Sequence, residues 1–145
     1  MTTPRSVLII DDDPDFAQAV GGLLASSGYE VMTASNGRDG LDLAKKAQPD
    51  LILLDVMMTE RTEGFFTLQQ IRRVPALQHT PVIVVSSIYT DQPVFRVNPD
   101  AGWLPASLFL PKPVDPARLL QEAARLIGEL AQTKADQPHV GSVTR

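Results

Sequence analysis

The chain has 145 residues, about the length of one domain, and 43% of them are hydrophobic, as in an ordinary globular protein. Its formal net charge of −4 argues against the basic face that nucleic-acid binding needs, and the absence of cysteine excludes disulfides, thiolate metal sites and cysteine nucleophiles. No stretch approaches the roughly 20 apolar residues of a membrane span, and no secretory apolar region precedes the first strand. We therefore expect a cytoplasmic protein with no membrane segment.

Strand and helix patterns alternate along residues 6–86, which is typical of a doubly wound α/β sheet. Short aliphatic runs indicate the strands, and apolar residues at helical spacing between caps and stop signals indicate the helices. The first helix carries Phe16, Val20, Leu23 and Leu24 on its apolar stripe. In chain order we predict a strand at 6–10, a helix from Pro14 to Gly28, a strand at 29–33, a helix opening at Asn36-Gly37, a strand after Pro49-Asp50, a helix after Glu63 and a strand at 81–86.

The pattern changes after Ser87, where prolines recur at positions 93, 99 and 105. Each proline inside a helix costs about 3 kcal/mol, which disfavours a continuous helix from 90 to 106. We predict a proline-rich segment at 88–107, then a short strand at 108–110 and an amphipathic helix from Pro116 that buries Leu119, Ala123, Leu126, Ile127 and Leu130. The domain is predicted to span residues 1–132, and the polar residues 133–145 to form a disordered tail.

Two of the predicted strands end in aspartate. Val7–Ile10 leads into Asp11 and Asp12, and Leu51–Leu54 leads into Asp55. In a flavodoxin-like sheet of order 2-1-3-4-5 the first and third strands are neighbours, so these carboxylates should converge at the carboxyl ends of the strands. Like charges at such distances repel, and a hard divalent cation such as Mg²⁺ relieves the repulsion.

Ser86 ends the fourth predicted strand and Lys112 follows the fifth, which adds a hydroxyl and an ammonium to the same edge of the sheet. A cation, an ammonium and a hydroxyl suit the oxygens of a phosphoryl group, and a carboxylate can attack phosphorus to give an aspartyl phosphate. The arrangement predicts a phosphorylation site.

Four stretches in order carry a resemblance to a known family: VLIIDDDPDF at 7–16, PDLILLDVMM at 49–58, PVIVVSS at 81–87 and FLPKPVDP at 109–116. Over about residues 5–131 the chain resembles the receiver domains of two-component response regulators. The resemblance implies that Asp55 is the phosphoacceptor and that Asp12, Asp55 and the Met57 carbonyl bind Mg²⁺ directly. Asp11 would act through a water molecule.

The resemblance also implies that Ser86 is the switch hydroxyl, that Lys112 contacts the phosphoryl group and that Phe109 is the switch aromatic. The Lys112–Pro113 bond is expected to be cis. The expected partners are a sensor histidine kinase or phosphotransfer protein and an unidentified downstream protein, with a homodimer open. No enzyme activity is expected beyond self-phosphorylation and autodephosphorylation.

The chain departs from the family pattern in two places. Thr59 stands where a proline is usual and Gly64 lies one residue later than usual after Asp55, and the 88–107 segment replaces a regular fourth helix. One alternative is therefore a degenerate receiver that serves as a constitutive interaction module. A dehalogenase-type phosphatase is more remote, because Asp15 stands where its motif has threonine, and an EF-hand is disfavoured because Phe16 stands where its loop needs glycine.

Overall fold

A computed structural model describes residues 4–55, 63–86 and 107–136 of the chain, with the backbone alone at 63–65, 86 and 129–136. Met57 and Thr59, residues 88–106 of the proline-rich segment and residues 137–145 of the expected tail lie outside these ranges. The strands are β1 (Ser6–Ile10), β2 (Glu30–Ala34), β3 (Leu51–Leu54), β4 (Val82–Ser86) and β5 (Leu108–Pro111). The helices are α1 (Pro14–Ser26), α2 (Gly37–Ala47), α3 (Glu63–Arg73) and α4 (Pro116–Asp136), with a short 3₁₀ helix at Pro75–Leu77.

The five strands form one parallel sheet in the order β2-β1-β3-β4-β5. Because β1 lies between β2 and β3, the chain reverses its direction of winding there, and the carboxyl ends of β1 and β3 are adjacent. Such a reversal leaves a crevice outside the strand ends where ligands bind in doubly wound folds. The predicted flavodoxin-like α/β class and strand order are confirmed.

The central strands β1, β3 and β4 are buried on both faces, which explains why their sequences are almost continuously apolar rather than alternating. Side chains of even-numbered residues in β1, such as Leu8 and Ile10, join a core with Leu68 and Ile71 of α3. Odd-numbered residues of the same strand join a second core with α1 and α4. Its members include Val7, Ile9, Val20, Leu24, Leu119 and Ile127.

Helix boundaries follow local capping chemistry. The Asp13 carboxylate accepts hydrogen bonds from the backbone N–H groups of Asp15 and Phe16, and Pro14 occupies the first helical position of α1. Asn36 caps α2 through the N–H of Asp39. Gly40 lets α2 approach the sheet closely, because a Cβ at that position would lie 2.5 Å from Ile10 Cδ1.

Some details differ from the sequence predictions. The 3₁₀ helix was not predicted, and α4 continues to Asp136, past the expected boundary at 132. No proline lies between Pro116 and Pro138, so no proline ends the helix at 132. The division of the chain at 132 stays a prediction. Within the described ranges, no helix is both long enough and apolar enough to cross a membrane.

Candidate phosphorylation site

Three carboxylates meet where β1 and β3 end. Ile10 of β1 pairs with Leu54 of β3, so the aspartates that follow them are neighbours. The Asp55 N–H donates to the Ile10 carbonyl oxygen at 3.0 Å, and the Asp11 N–H donates to the Ala34 carbonyl oxygen of β2 at 3.0 Å. Candidate ligand oxygens of Asp11, Asp12 and Asp55 all lie within 4.8 Å of one another. The predicted convergence of the three side chains is therefore present.

The cluster lies largely out of water. Asp11 is 3% exposed and Asp55 is 4% exposed, whereas Asp12 is more accessible. Burial raises the pKa of Asp11, and the nearby Asp55 carboxylate adds to that rise. The Lys112 ammonium and a hydrogen bond from the Asp13 N–H to Asp11 Oδ1 oppose it. Negative charge at this position is therefore costly without a cation.

Lys112 supplies one cation from the loop after β5. Its Nζ lies 2.9 Å from Asp11 Oδ2 and 3.3 Å from Asp55 Oδ2, and its side chain is 18% exposed. Burial alone would lower the pKa of Lys112, but the two carboxylates outweigh burial and raise it, which keeps the ammonium charged. The Lys112–Pro113 peptide bond is cis, as expected.

The site has capacity for a second cation. Among the described residues, one ammonium faces three carboxylates, so negative charge exceeds positive charge there. Among groups that the structure describes, none makes a well-directed hydrogen bond to the buried Asp11 Oδ2, and its contact with Lys112 is an ion pair. Hard carboxylate oxygens with spare lone pairs fit Mg²⁺, which prefers oxygen ligands and retains waters. The Met57 carbonyl, the fourth expected ligand, lies outside the described residues.

The other two predicted site residues lie along β4 and β5. Ser86 is the last residue of β4 and pairs with Pro111, directly before Lys112. The structure describes the backbone of Ser86 but not its side chain. Phe109 pairs with Val84, is 9% exposed and belongs to the core on the α2 and α3 side. The switch roles of Ser86 and Phe109 stay predictions.

One contact at the site was missed by sequence reasoning. Lys112 Nζ lies 4.2 Å from the centroid of the Phe16 ring. The apolar stripe of α1 predicted burial for Phe16, and the ring is half-buried, but no spacing signal relates it to a lysine 96 positions later.

An open cavity of about 530 Å³ leads to the acidic cluster from the side of α1 and β2. Two members of the cluster, Asp11 and Asp12, line the cavity. The residues that line it are Asp11, Asp12, Pro14, Ala17, Gln18, Thr33, Ala34 and Ser35.

Comparisons with known proteins agree with this geometry. A family model described as the response regulator receiver domain matches residues 7–124. The chain is 36% identical over 124 residues to the DNA-binding dual master transcriptional regulator RpaA of Synechocystis, covering 86% of this chain and 49% of that protein. It is 34% identical to protein PilH of Pseudomonas aeruginosa, covering 79% of this chain and 91% of PilH.

Among solved structures, the chemotaxis response regulator CheY4 of Vibrio cholerae superposes with a TM-score of 0.74 at 33% sequence identity. The match covers 86% of this chain and 99% of CheY4. The chain thus spans about half the length of RpaA and nearly the whole of the shorter relatives.

Proposed function

We propose that this chain, which belongs to the family of response regulator receiver domains, is a signalling switch controlled by phosphorylation of Asp55. A sensor histidine kinase or a phosphotransfer protein would donate the phosphoryl group. The observation that carries the proposal is the position of Lys112 Nζ, within 3.3 Å of both Asp11 and Asp55 at an acidic strand-end cluster. A buried carboxylate beside an ammonium and two further carboxylates combines a nucleophile with charge stabilisation.

The transfer exchanges one bond for another. A carboxylate oxygen of Asp55 attacks the phosphorus of a phosphohistidine, and an O–P bond forms while the N–P bond breaks. The electron pair of the broken bond stays on the imidazole nitrogen, and solvent supplies the proton that completes the neutral ring. The Lys112 ammonium, already next to Asp55 Oδ2, stabilises the charge on the phosphoryl oxygens as they arrive.

We assign the Mg²⁺ site to the carboxylates of Asp12 and Asp55, with the Met57 carbonyl as a further ligand and Asp11 acting through water. Bound Mg²⁺ supplies positive charge beside the phosphoryl oxygens. Asp11 also contacts Lys112 through a 2.9 Å ion pair, so it would help to position both the lysine and Mg²⁺.

The output of the switch is proposed to be a protein contact that changes when Asp55 is phosphorylated. Ser86 and Phe109 are the proposed relay, because each lies on a strand beside the site: β4 ends at Ser86, and Phe109 lies three residues before Lys112. A hydroxyl drawn toward the phosphoryl group, coupled to an aromatic side chain in the core, would bias two surface arrangements.

Intact mass spectrometry tests the proposal. The protein is incubated with acetyl phosphate or with a phosphorylated phosphotransfer protein, in the presence of Mg²⁺. We expect one added phosphoryl group, its removal by hydroxylamine as an acyl phosphate, and its absence in Asp55→Asn or when Mg²⁺ is chelated. Asp42→Asn, at an exposed position of α2, is the matched control and should be phosphorylated normally.

The absence of an adduct with every donor would refute phosphorylation and favour a constitutive interaction module, the reading that the proline-rich segment at 88–107 suggests. An adduct that survives in Asp55→Asn would show that the acceptor is misassigned.

A further inference from the structure

Among the described residues, the ammonium of Lys112 contacts side chains of two kinds, carboxylates and an aromatic ring. Two carboxylate oxygens lie on it at 2.9 and 3.3 Å, and the face of the Phe16 ring lies 4.2 Å from it. The distance is within the roughly 6 Å over which the negative face of an aromatic ring attracts a cation. The attraction is stronger at partly dry sites, and the Lys112 side chain is only 18% exposed.

The Phe16 ring is held in place by the start of α1. Its backbone N–H donates to Asp13 Oδ1, and its side chain packs against the core formed with α1 and α4. Asp13 in turn follows the two aspartates of the acidic cluster along the chain. The cap that begins α1 therefore fixes the ring relative to the carboxylates.

A ring face is a suitable neighbour for a lysine that must later bind another group. It attracts the ammonium without accepting a strong hydrogen bond, so the protons of Nζ stay available for carboxylate or phosphoryl oxygens. It also restricts a long side chain that otherwise has many rotamers, which lowers the entropy lost when Lys112 engages the phosphoryl group.

We infer that Phe16 is a positioning residue for Lys112, holding its ammonium by a cation–π contact so that it is aimed at Asp55 when the phosphodonor arrives. The inference rests on the proposed phosphorylation of Asp55 and adds a residue that acts through the lysine rather than on the phosphoryl group itself.

A double-mutant cycle tests the inference through the rate of phosphorylation by acetyl phosphate with Mg²⁺. Phe16→Leu keeps an apolar side chain and removes the ring, and we expect it to lower the second-order rate constant of phosphorylation roughly threefold to tenfold. Phe16→Tyr keeps the ring face and should stay within about twofold of the wild type. In a Lys112→Met background, Phe16→Leu should cause no further loss, because the cation is gone.

Tyr29→Leu is the matched control. Tyr29 is a half-buried aromatic side chain that packs against the same core as Phe16, and no contact with Lys112 is described for it. We expect Tyr29→Leu to affect stability but to leave the second-order rate constant of phosphorylation unchanged. Equal losses from Phe16→Leu in the wild-type and Lys112→Met backgrounds would show a purely structural role and overturn the inference.

A second measurement is independent of phosphorylation. In the NMR spectrum, the Cε protons of Lys112 should be shifted upfield by the ring current of Phe16, and Phe16→Leu should remove the shift. An unshifted signal in the wild-type protein would overturn the inference even if Asp55 is phosphorylated. A shifted signal in a protein that acquires no phosphoryl group would instead refute the proposed function, and with it any role of Phe16 in phosphorylation.

Discussion

Lys112 and Arg72 are both cationic side chains drawn partly into the protein, at opposite ends of the sheet. Arg72, near the end of α3, donates from Nη1 to the carbonyl oxygens of Leu77, Gln78 and Thr80 at 3.0, 3.3 and 2.7 Å. These carbonyls belong to the 3₁₀ helix and the turn that lead into β4. Burial lowers the pKa of Arg72, which marks the cost of enclosing its charge.

The two cations differ in the charge of their acceptors. The three carbonyls described at Arg72 are neutral and belong to the backbone, so these contacts hold a turn against the helix. Lys112 instead contacts two members of a three-carboxylate cluster, so among the described groups negative charge exceeds positive charge at that end of the sheet. A partly buried cation thus contacts neutral backbone oxygens at one end of the sheet and the carboxylates of the proposed phosphorylation site at the other.

The largest expected effect comes from removing the cation of the proposed phosphorylation site, Lys112. Lys112→Met should slow the phosphorylation of Asp55 by about a hundredfold, because a preorganised charge next to the phosphoryl oxygens is lost. Intact mass spectrometry over time, with acetyl phosphate and Mg²⁺, measures the rate. Lys46→Met, at an exposed position of α2, is the control and should react like the wild type. Equal phosphorylation rates for the Lys112 and Lys46 variants would show that Lys112 does not assist phosphorylation. The functional difference between Lys112 and Arg72 would then be lost.

The second effect comes from removing Arg72. It should lower the stability of the protein and leave the phosphorylation rate nearly unchanged. Arg72→Met leaves partly buried carbonyls without their charged donor and should lower the free energy of unfolding by about 2 kcal/mol. Urea denaturation measures this loss, and Arg73→Met, which changes the exposed neighbour, should stay within about 0.5 kcal/mol of the wild type. Phosphorylation of folded Arg72→Met should proceed within about twofold of the wild-type rate. A stable but slow Arg72 variant would contradict the comparison.

The smallest effect concerns two half-exposed arginines of α4, Arg118 and Arg125, which pair with Glu122. Hydrogen bonding to Arg125 lowers the pKa of Glu122, with a further contribution from Arg118. The contribution of Glu122 to stability is therefore present above its ordinary pKa of 4.5 and is lost as the pH falls through the lower value in the folded protein.

Because both arginines are about half exposed, Glu122→Gln should cost at most about 1 kcal/mol at neutral pH and less at a pH well below 4.5. Urea denaturation at the two pH values measures the difference between variant and wild type. High salt should shrink the neutral-pH effect. A cost that persists at the lower pH would point to lost packing rather than lost charge.

Much of the fold could be predicted because local signals are strong here. The Asp13-Pro14 and Asn36-Gly37 pairs mark helix starts by capping chemistry that depends only on neighbouring residues. The stretch around Arg72 could not be predicted in the same way. An arginine near a helix end reads as a solvated charge, and only the returning turn at Leu77 and Thr80 places carbonyls around it.

At the site, the identity of the carboxylates followed from sequence and the arrangement around the lysine did not. Aspartates that directly follow two buried strands must meet if those strands are parallel neighbours, since parallel strands place their carboxyl ends at one edge. The sequence by itself therefore determined the strands, their polarity and the residues at their ends. Tertiary structure alone decided that Lys112 bridges Asp11 and Asp55 beneath the Phe16 ring. Spacing along a chain reports which face of an element is buried, whereas the distance between side chains on separate elements depends on how those elements pack.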